Sequence, residues 1–233
     1  MILKRKAAAC LAAALLLSLM GCGQTVPPSS GDAGEDRPQG TRVEASHEYA
    51  AISLTVPEGW AYETEEGGAD HPCAIRFWPE DAPECSVTLA AYEEAVGLCG
   101  TGVTIEERNW DSGQQATAYS ETFSGEDTCW YFLVYQDTPG FYAAEYMDSA
   151  AWWDTWGAQA EEILSTAQLG GDAVRKSEAI AAAREASGAQ QEEVCADFDM
   201  TSGIWSVSFY IGDSRLKVHQ TVTLNSRGEI MEP

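Results

Sequence analysis

The residues of this sequence that could do chemistry are a few histidines and cysteines. His71 and Cys73 lie two positions apart, a spacing at which an imidazole and a thiolate could hold a metal ion. A zinc site needs further ligands, and no histidine has a second histidine four positions away. His47 follows a polar segment and His219 belongs to a strand-like stretch, so both are expected at the surface. We therefore predict no metal site.

Cys99 lies in the stretch LCGTG, where a thiol flanked by glycines could act as a nucleophile or belong to a phosphate loop. A phosphate loop needs a lysine and then a helix, whereas a strand-like VTI follows here. A tight turn with a buried Cys99 explains the glycines better. Ser206 and Ser208 alternate with apolar residues, which is typical of the solvent side of a strand. The sequence therefore predicts no catalytic residue and no cofactor, and an enzyme using Cys99 or His71 with Cys73 is the alternative.

Paired carboxylates are frequent, and one pair could attract a cation. Asp197 and Asp199 share a face of a predicted strand. The following loop does not fit a calcium site, because Gly203 comes one position late and Ser208 stands where a glutamate is needed. A solvated acidic face is therefore expected.

Cys22 is the cysteine with the clearest context. Three basic residues precede an apolar run over residues 7–20, which is too short to span a bilayer and is typical of a secretory signal. The run ends in Leu19-Met20-Gly21-Cys22, which resembles the lipobox of bacterial lipoproteins. The resemblance implies a signal peptide over residues 1–21 and a diacylglyceryl thioether on Cys22. The mature chain would then be anchored to the cell membrane at its extracytoplasmic face, since acyl chains give stable binding.

Residues 22–48 are predicted to be a tether. They are rich in glycine and proline and contain almost no apolar residue, which is typical of a flexible linker.

The formal net charge of −24 excludes binding to phosphate-rich nucleic acid and favours a protein partner with a basic or neutral surface. A hydrophobic content of 45% with eight tryptophans predicts folded cores and not a disordered acidic chain. An exported chain could form disulfides. The sequence does not give their pairing, and at least one cysteine stays unpaired within a monomer because the number that remains after residue 22 is odd: Cys73, Cys85, Cys99, Cys129 and Cys195.

Residues 49–170 are predicted to form an antiparallel sheet covered by a helix. AISLTVPEGWAYE alternates in hydropathy around a Pro-Glu-Gly turn, which predicts one hairpin, and CAIRFW with CSVTLAAY predicts a second. From Asp148, taken as the N-cap, apolar residues recur every three or four positions, which predicts a helix that ends at Gly170-Gly171. ISLTVPEGW with the closing EEILSTAQ resembles the PsbP-like family of photosystem extrinsic proteins and small bacterial lipoproteins. That resemblance implies an α+β interaction scaffold.

Residues 173–233 are predicted to form a second, smaller domain with a helix followed by three strands. Ser177 is the expected N-cap of the helix and Gly188 its C-terminal glycine. The order of SEAIAAAREASG, WSVSFY and VTLNSRGEI resembles the PepSY domain. The resemblance implies an extracytoplasmic module that in some relatives is proposed to restrain proteases.

These observations predict an α+β lipoprotein that is not an enzyme and that works by contact with another protein. Regulation or inhibition of an extracytoplasmic protease through the PepSY-like segment is the main alternative.

Overall fold

The structure of the protein is a computed structural model that describes residues 40–68, 71–95, 102–211 and 217–231. The fold is α+β, and every strand pairing in the described sheets is antiparallel. The N-terminal lobe, residues 40–171, contains β1 Gly40–His47, β2 Ala50–Pro57, β3 Trp60–Glu66, β4 Cys73–Pro79, β5 Val87–Tyr92, β6 Thr104–Asn109, β7 Gln115–Thr122, β8 Thr128–Tyr135, β9 Phe141–Ser149, α1 Ala150–Ser165 and β10 Gln168–Leu169. The C-terminal lobe, residues 172–231, contains α2 Lys176–Ser187, β11 Val194–Asp199, β12 Ile204–Tyr210 and β13 Val218–Asn225.

The largest element of the N-terminal lobe is a seven-stranded sheet in the order β3-β4-β5-β9-β8-β7-β6. The hairpin predicted for CAIRFW and CSVTLAAY is confirmed, because β4 and β5 pair. The hairpin predicted for AISLTVPEGWAYE is wrong: β3 pairs with β4, whereas β2 lies in another sheet. The turn at Gly59, which has a φ of 85°, reverses the chain, but a local turn signal does not determine which strands become neighbours.

A three-stranded sheet in the order β1-β2-β10 packs against the larger one. Residues 40–47, for which the sequence predicts a tether, form strand β1, so this part of the tether prediction is wrong. Val43 and Ala45 are buried at alternate positions while the residues around them are exposed. An edge strand needs only one apolar side, and two apolar residues in a polar stretch are a weak signal.

Helix α1 covers the part of the large sheet that the small sheet leaves open. It begins at Ser149, whose hydroxyl accepts a hydrogen bond from the Trp152 backbone N–H at 3.3 Å. The predicted N-cap, Asp148, is therefore off by one residue, and its carboxylate instead accepts from the Ser149 backbone N–H. Trp152, Ile163 and Leu164 point into the core between the helix and the two sheets. The Tyr135 hydroxyl donates to the Leu164 carbonyl at 2.8 Å and ties helix to sheet.

The C-terminal lobe has its own core between α2 and the sheet β11-β12-β13. Ala179 and Ala183 let the helix approach Trp205, Val207 and Leu224, all of which are buried. The helix ends at Gly188 in a left-handed conformation, as predicted. Its N-cap is Arg175 and not Ser177.

The two cores lie within one compact unit. The lobes are joined where Tyr49 donates from its backbone N–H to the Met200 carbonyl at 3.1 Å. A second contact links Asp137, in the loop after β8, to the start of α2. Its carboxylate accepts from both the backbone N–H and the hydroxyl of Ser177, each at 2.7 Å. The predicted division into two domains after residue 170 stays a prediction.

Candidate functional site

His71 and Cys73 occupy different environments. Cys73 is fully buried in the core of the N-terminal lobe. Burial, with a smaller contribution from the Glu66 carboxylate, raises the pKa of its thiol to about 12. His71 lies in the loop before β4, with its ring edge-on to Tyr92 at 5.0 Å between centroids. Nowhere in the described part of the chain do three or more histidine, cysteine or acidic side chains form a group that could hold a metal ion.

Four of the other cysteines fall into two groups. Cys22 and Cys99 lie outside the described residues, so the predicted lipidation and the alternative of a reactive Cys99 stay predictions. Cys85 and Cys129 are buried and, like Cys73, free of disulfides in the described chain. Burial raises the pKa of the Cys129 thiol to about 11 and also raises that of Cys85. A protonated, buried thiol is a poor nucleophile and a poor metal ligand at neutral pH.

The outer face of the sheet β11-β12-β13 carries the polar candidates of the C-terminal lobe. Asp197 accepts a hydrogen bond from the Cys195 thiol at 3.4 Å. The Asp199 carboxylate closes the next turn, because it accepts from the Ser202 hydroxyl and from the backbone N–H groups that follow it. These bonds hold the pKa of Asp199 below its usual value. Ser208 is hydrogen-bonded to Thr221 at 3.0 Å between hydroxyl oxygens. The two aspartates therefore serve local structure.

A cleft of about 690 Å³ lies between the lobes, and sequence reasoning missed it. Its N-terminal wall contains His47, at the end of β1, and His71 with its neighbour Tyr92. Its C-terminal wall is the end of β11 and the turn after it, including Phe198. The two histidines are separated by strands β2 and β3 in the sequence. They line one cavity only because β1 pairs with β2 in the small sheet, and the sequence does not indicate this pairing.

A second surface lies on the outer face of the seven-stranded sheet, opposite α1. Three residues are direct neighbours across β6, β7 and β8: Ile105, Tyr119 and Phe132. Across β8 and β9, Trp130 is the direct neighbour of Met147. The Trp130 and Phe132 rings stack with centroids 5.9 Å apart. We call these five residues the β6–β9 stripe. Ile105 is 62% exposed and Met147 is 60% exposed, whereas Phe132 is only 4% exposed, so the stripe contacts solvent mainly at its two ends.

Acidic side chains are interleaved with the β6–β9 stripe. Glu121 lies opposite Trp130, and Glu145 lies opposite Phe132. Glu107, on the edge strand β6, accepts a hydrogen bond from the Thr117 hydroxyl at 3.3 Å. The stripe is therefore an apolar surface with a negative surround. Lipid-facing surfaces of proteins that bind anionic membranes carry the opposite charge.

None of the helices in the described residues is long and apolar enough to cross a membrane.

No family model and no curated protein matches the sequence. The chain is similar to the solution structure of a cyanobacterial PsbP (CyanoP) from Synechocystis, with 13% identity and a TM-score of 0.38 over 60% of this chain and 98% of that one. It is also similar to a crystal structure from Bacteroides thetaiotaomicron, with 11% identity and a TM-score of 0.38 over 83% of this chain and 89% of that one. The α+β class rests on the sheets and helices described above. The resemblances to the PepSY domain and to the lipobox stay predictions.

Proposed function

We propose that the protein is a lipid-anchored, extracytoplasmic interaction module that binds a protein with a basic surface and is not an enzyme. The β6–β9 stripe is the observation that supports this proposal. Exposed apolar side chains on a strongly acidic protein give an attractive contact for apolar groups that are accompanied by lysine or arginine.

The chemistry of the stripe selects the kind of partner. Burying Ile105 and Met147 in an interface contributes about 1 to 2 kcal/mol for each side chain. Glu121 and Glu145 repel acidic partners and raise the rate of association with basic ones. Arg76, on the same sheet face, is already paired with Glu63 at 2.9 Å and lies over Trp78, so it does not neutralise the stripe.

The interaction is tested by crosslinking in the native membrane with the Ile105→Ser/Met147→Ser double variant. Val218→Ser/Ile230→Ser is the matched control, because these residues of the C-terminal lobe are also about half exposed. We expect the stripe variant to lose about tenfold or more of the crosslinked partner and the control to retain it. The captured protein should be basic at the contact, and its binding should weaken as salt rises. Equal capture by both variants would remove the stripe as the binding surface.

The anchor is tested separately by mass spectrometry of the amino terminus. We expect an acylated Cys22 at the start of the mature chain and release of the Cys22→Ala variant from the membrane fraction. An intact, unmodified amino terminus on cytosolic protein would contradict the proposal.

A further inference from the structure

Strand β6 is a free edge of the seven-stranded sheet. In the described chain it pairs with β7 alone, over six consecutive residues whose register has no shift. Five of its six residues are exposed, and none is a proline. Natural edge strands are often protected from added strands by a proline or a bulge. Strand β6 has neither, and its two glutamates deter only another acidic strand.

The backbone groups that β6 offers at this edge follow from the ladder. The Gln115 carbonyl accepts from the Gln136 backbone N–H at 2.8 Å, so the backbone groups of Gln115 point to the side of β8. Its partner Asn109 therefore turns its own N–H and C=O away from β7. Because this direction alternates along a strand, Ile105 and Glu107 do the same. Each of these three residues of β6 presents one donor and one acceptor to an incoming strand.

The side chains of β6 define what such a strand would carry. Ile105 is 62% exposed at this edge and lies at one end of the β6–β9 stripe. Arg108 donates to Glu106 at 2.8 Å and to both carboxylate oxygens of Glu161 on α1 at 3.0 and 3.1 Å, which fixes β6 against the helix. With Glu107, these three carboxylates and one guanidinium leave a net charge of −2 at the edge. The edge therefore favours a strand that carries apolar and basic residues and repels an acidic one.

From the free edge, its exposed isoleucine and its negative charge we propose that the partner of the stripe adds an extended segment to β6 as an antiparallel strand. Basic residues of this segment lie opposite Glu106 and Glu107, and an apolar residue lies opposite Ile105. The inference rests on the proposed function, since the added strand extends the β6–β9 stripe beyond β6. Main-chain hydrogen bonds hold the segment, and the side chains select its sequence. The antiparallel direction is that of every described strand pairing of this sheet.

The added strand is tested by NMR titration of the full-length protein with the capped peptide Thr-Thr-Lys-Lys-Val-Thr. Its residues pair in order with Asn109 through Thr104, so the N–H groups of the first lysine and of the valine point to β6. Methylation of these two nitrogens should weaken binding about tenfold, because two hydrogen bonds are lost. Methylation of the second threonine and the second lysine, whose N–H groups point away, should leave binding within about twofold. Glutamates in place of both lysines should weaken it about fivefold or more.

Two results of this titration would overturn the proposal. One is the absence of binding by the unmethylated peptide, and the other is equal weakening by the two methylation patterns. Both results are obtained with the unaltered protein, so they do not depend on the folding of a variant.

A pair of variants locates the binding at β6. Glu107→Pro removes an N–H that makes no ladder bond with β7, and Glu107→Gln removes the same charge but keeps the N–H. We expect the peptide to bind about fivefold more weakly to the proline variant than to the glutamine variant. Equal binding to both would overturn the assignment to β6.

The crosslinking experiment separates this inference from the proposed function. If Ile105→Ser/Met147→Ser loses the partner while the two methylation patterns act alike, the stripe stands and the added strand is overturned. If that variant keeps the partner, the proposed function fails first.

Discussion

The contact of Asp137 with helix α2 offers a direct test of how the lobes are held together. The Asp137 carboxylate replaces the missing N-terminal hydrogen-bond partners of a helix that belongs to the other lobe. Asp137 also has a φ of 54°, in the left-handed region, and Glu48 with a φ of 52° shares that conformation. An alanine at either position carries the same backbone strain, but only Asp137→Ala removes the helix cap.

The expected magnitudes follow from this difference. The left-handed strain cancels in the comparison, because aspartate, glutamate and alanine all carry the Cβ that causes it. Loss of the cap costs about 1 kcal/mol more in Asp137→Ala, and that energy is localised at the start of α2. An energy of about 1 kcal/mol corresponds to about a fivefold change in an opening equilibrium.

Hydrogen exchange followed by mass spectrometry measures this opening. Amides of α2 should exchange about fivefold faster in Asp137→Ala than in Glu48→Ala, while amides of β8 should be alike in the two variants. Ser177→Ala should have a smaller effect, since it removes the hydroxyl but leaves the backbone N–H bond to Asp137. The reasoning is refuted if α2 exchanges at the same rate in both alanine variants.

Three further predictions concern the cores and the turns. Leu164→Ala, at a position with no exposed surface, should lower the free energy of unfolding by about 2 to 5 kcal/mol in urea titrations, and a loss below about 1 kcal/mol would contradict the packing described. Gly203→Ala should destabilise more than Gly113→Ala: both have positive φ, but a Cβ at Gly203 would lie 2.5 Å from a tyrosine ring, whereas nothing lies within 4 Å at Gly113. Equal unfolding midpoints would argue against that close approach. Burial raises the pKa of Cys73 and of Tyr92 to about 12, so the unfolded chain ionises at lower pH than the folded one. Stability should therefore be insensitive to these groups below about pH 9 and fall from there toward pH 12, and urea midpoints that rise over this interval would show the opposite sign.

The parts of the fold that local patterns determine could be predicted from the sequence. The period of apolar residues identified α1 but not its end: the helix stops at Ser165, and Gln168–Leu169 form strand β10 before the predicted end at Gly170-Gly171. Gly188 identified the end of α2 because a left-handed residue follows the helix. The hairpin of β4 and β5 could be predicted because a turn that begins and ends with proline lies between two strand-like segments, and these two strands do pair. In each case the determining interactions join residues close in sequence.

The parts that failed depend on contacts distant in sequence. Strand β1 is stabilised by pairing with β2 and by burial of Val43 and Ala45, neither of which a polar eight-residue stretch indicates by itself. The cleft was missed for the same reason, because His47 and Phe198 come to line one cavity only through the packing of the two lobes. The stripe could not be read from β8, because CWYFLVY is apolar or aromatic at every position, and which of its faces meets solvent depends on which sheet face α1 covers.

The position of β2 between β1 and β10 has a consequence for biosynthesis. Leu169 pairs with Ile52, more than a hundred positions earlier, so β2 keeps an open edge until β10 has left the ribosome. Long-range pairing of this kind slows folding. For a chain exported as proposed, the delay keeps the amino-terminal strands loose enough to thread through a translocation channel and postpones assembly to the far side.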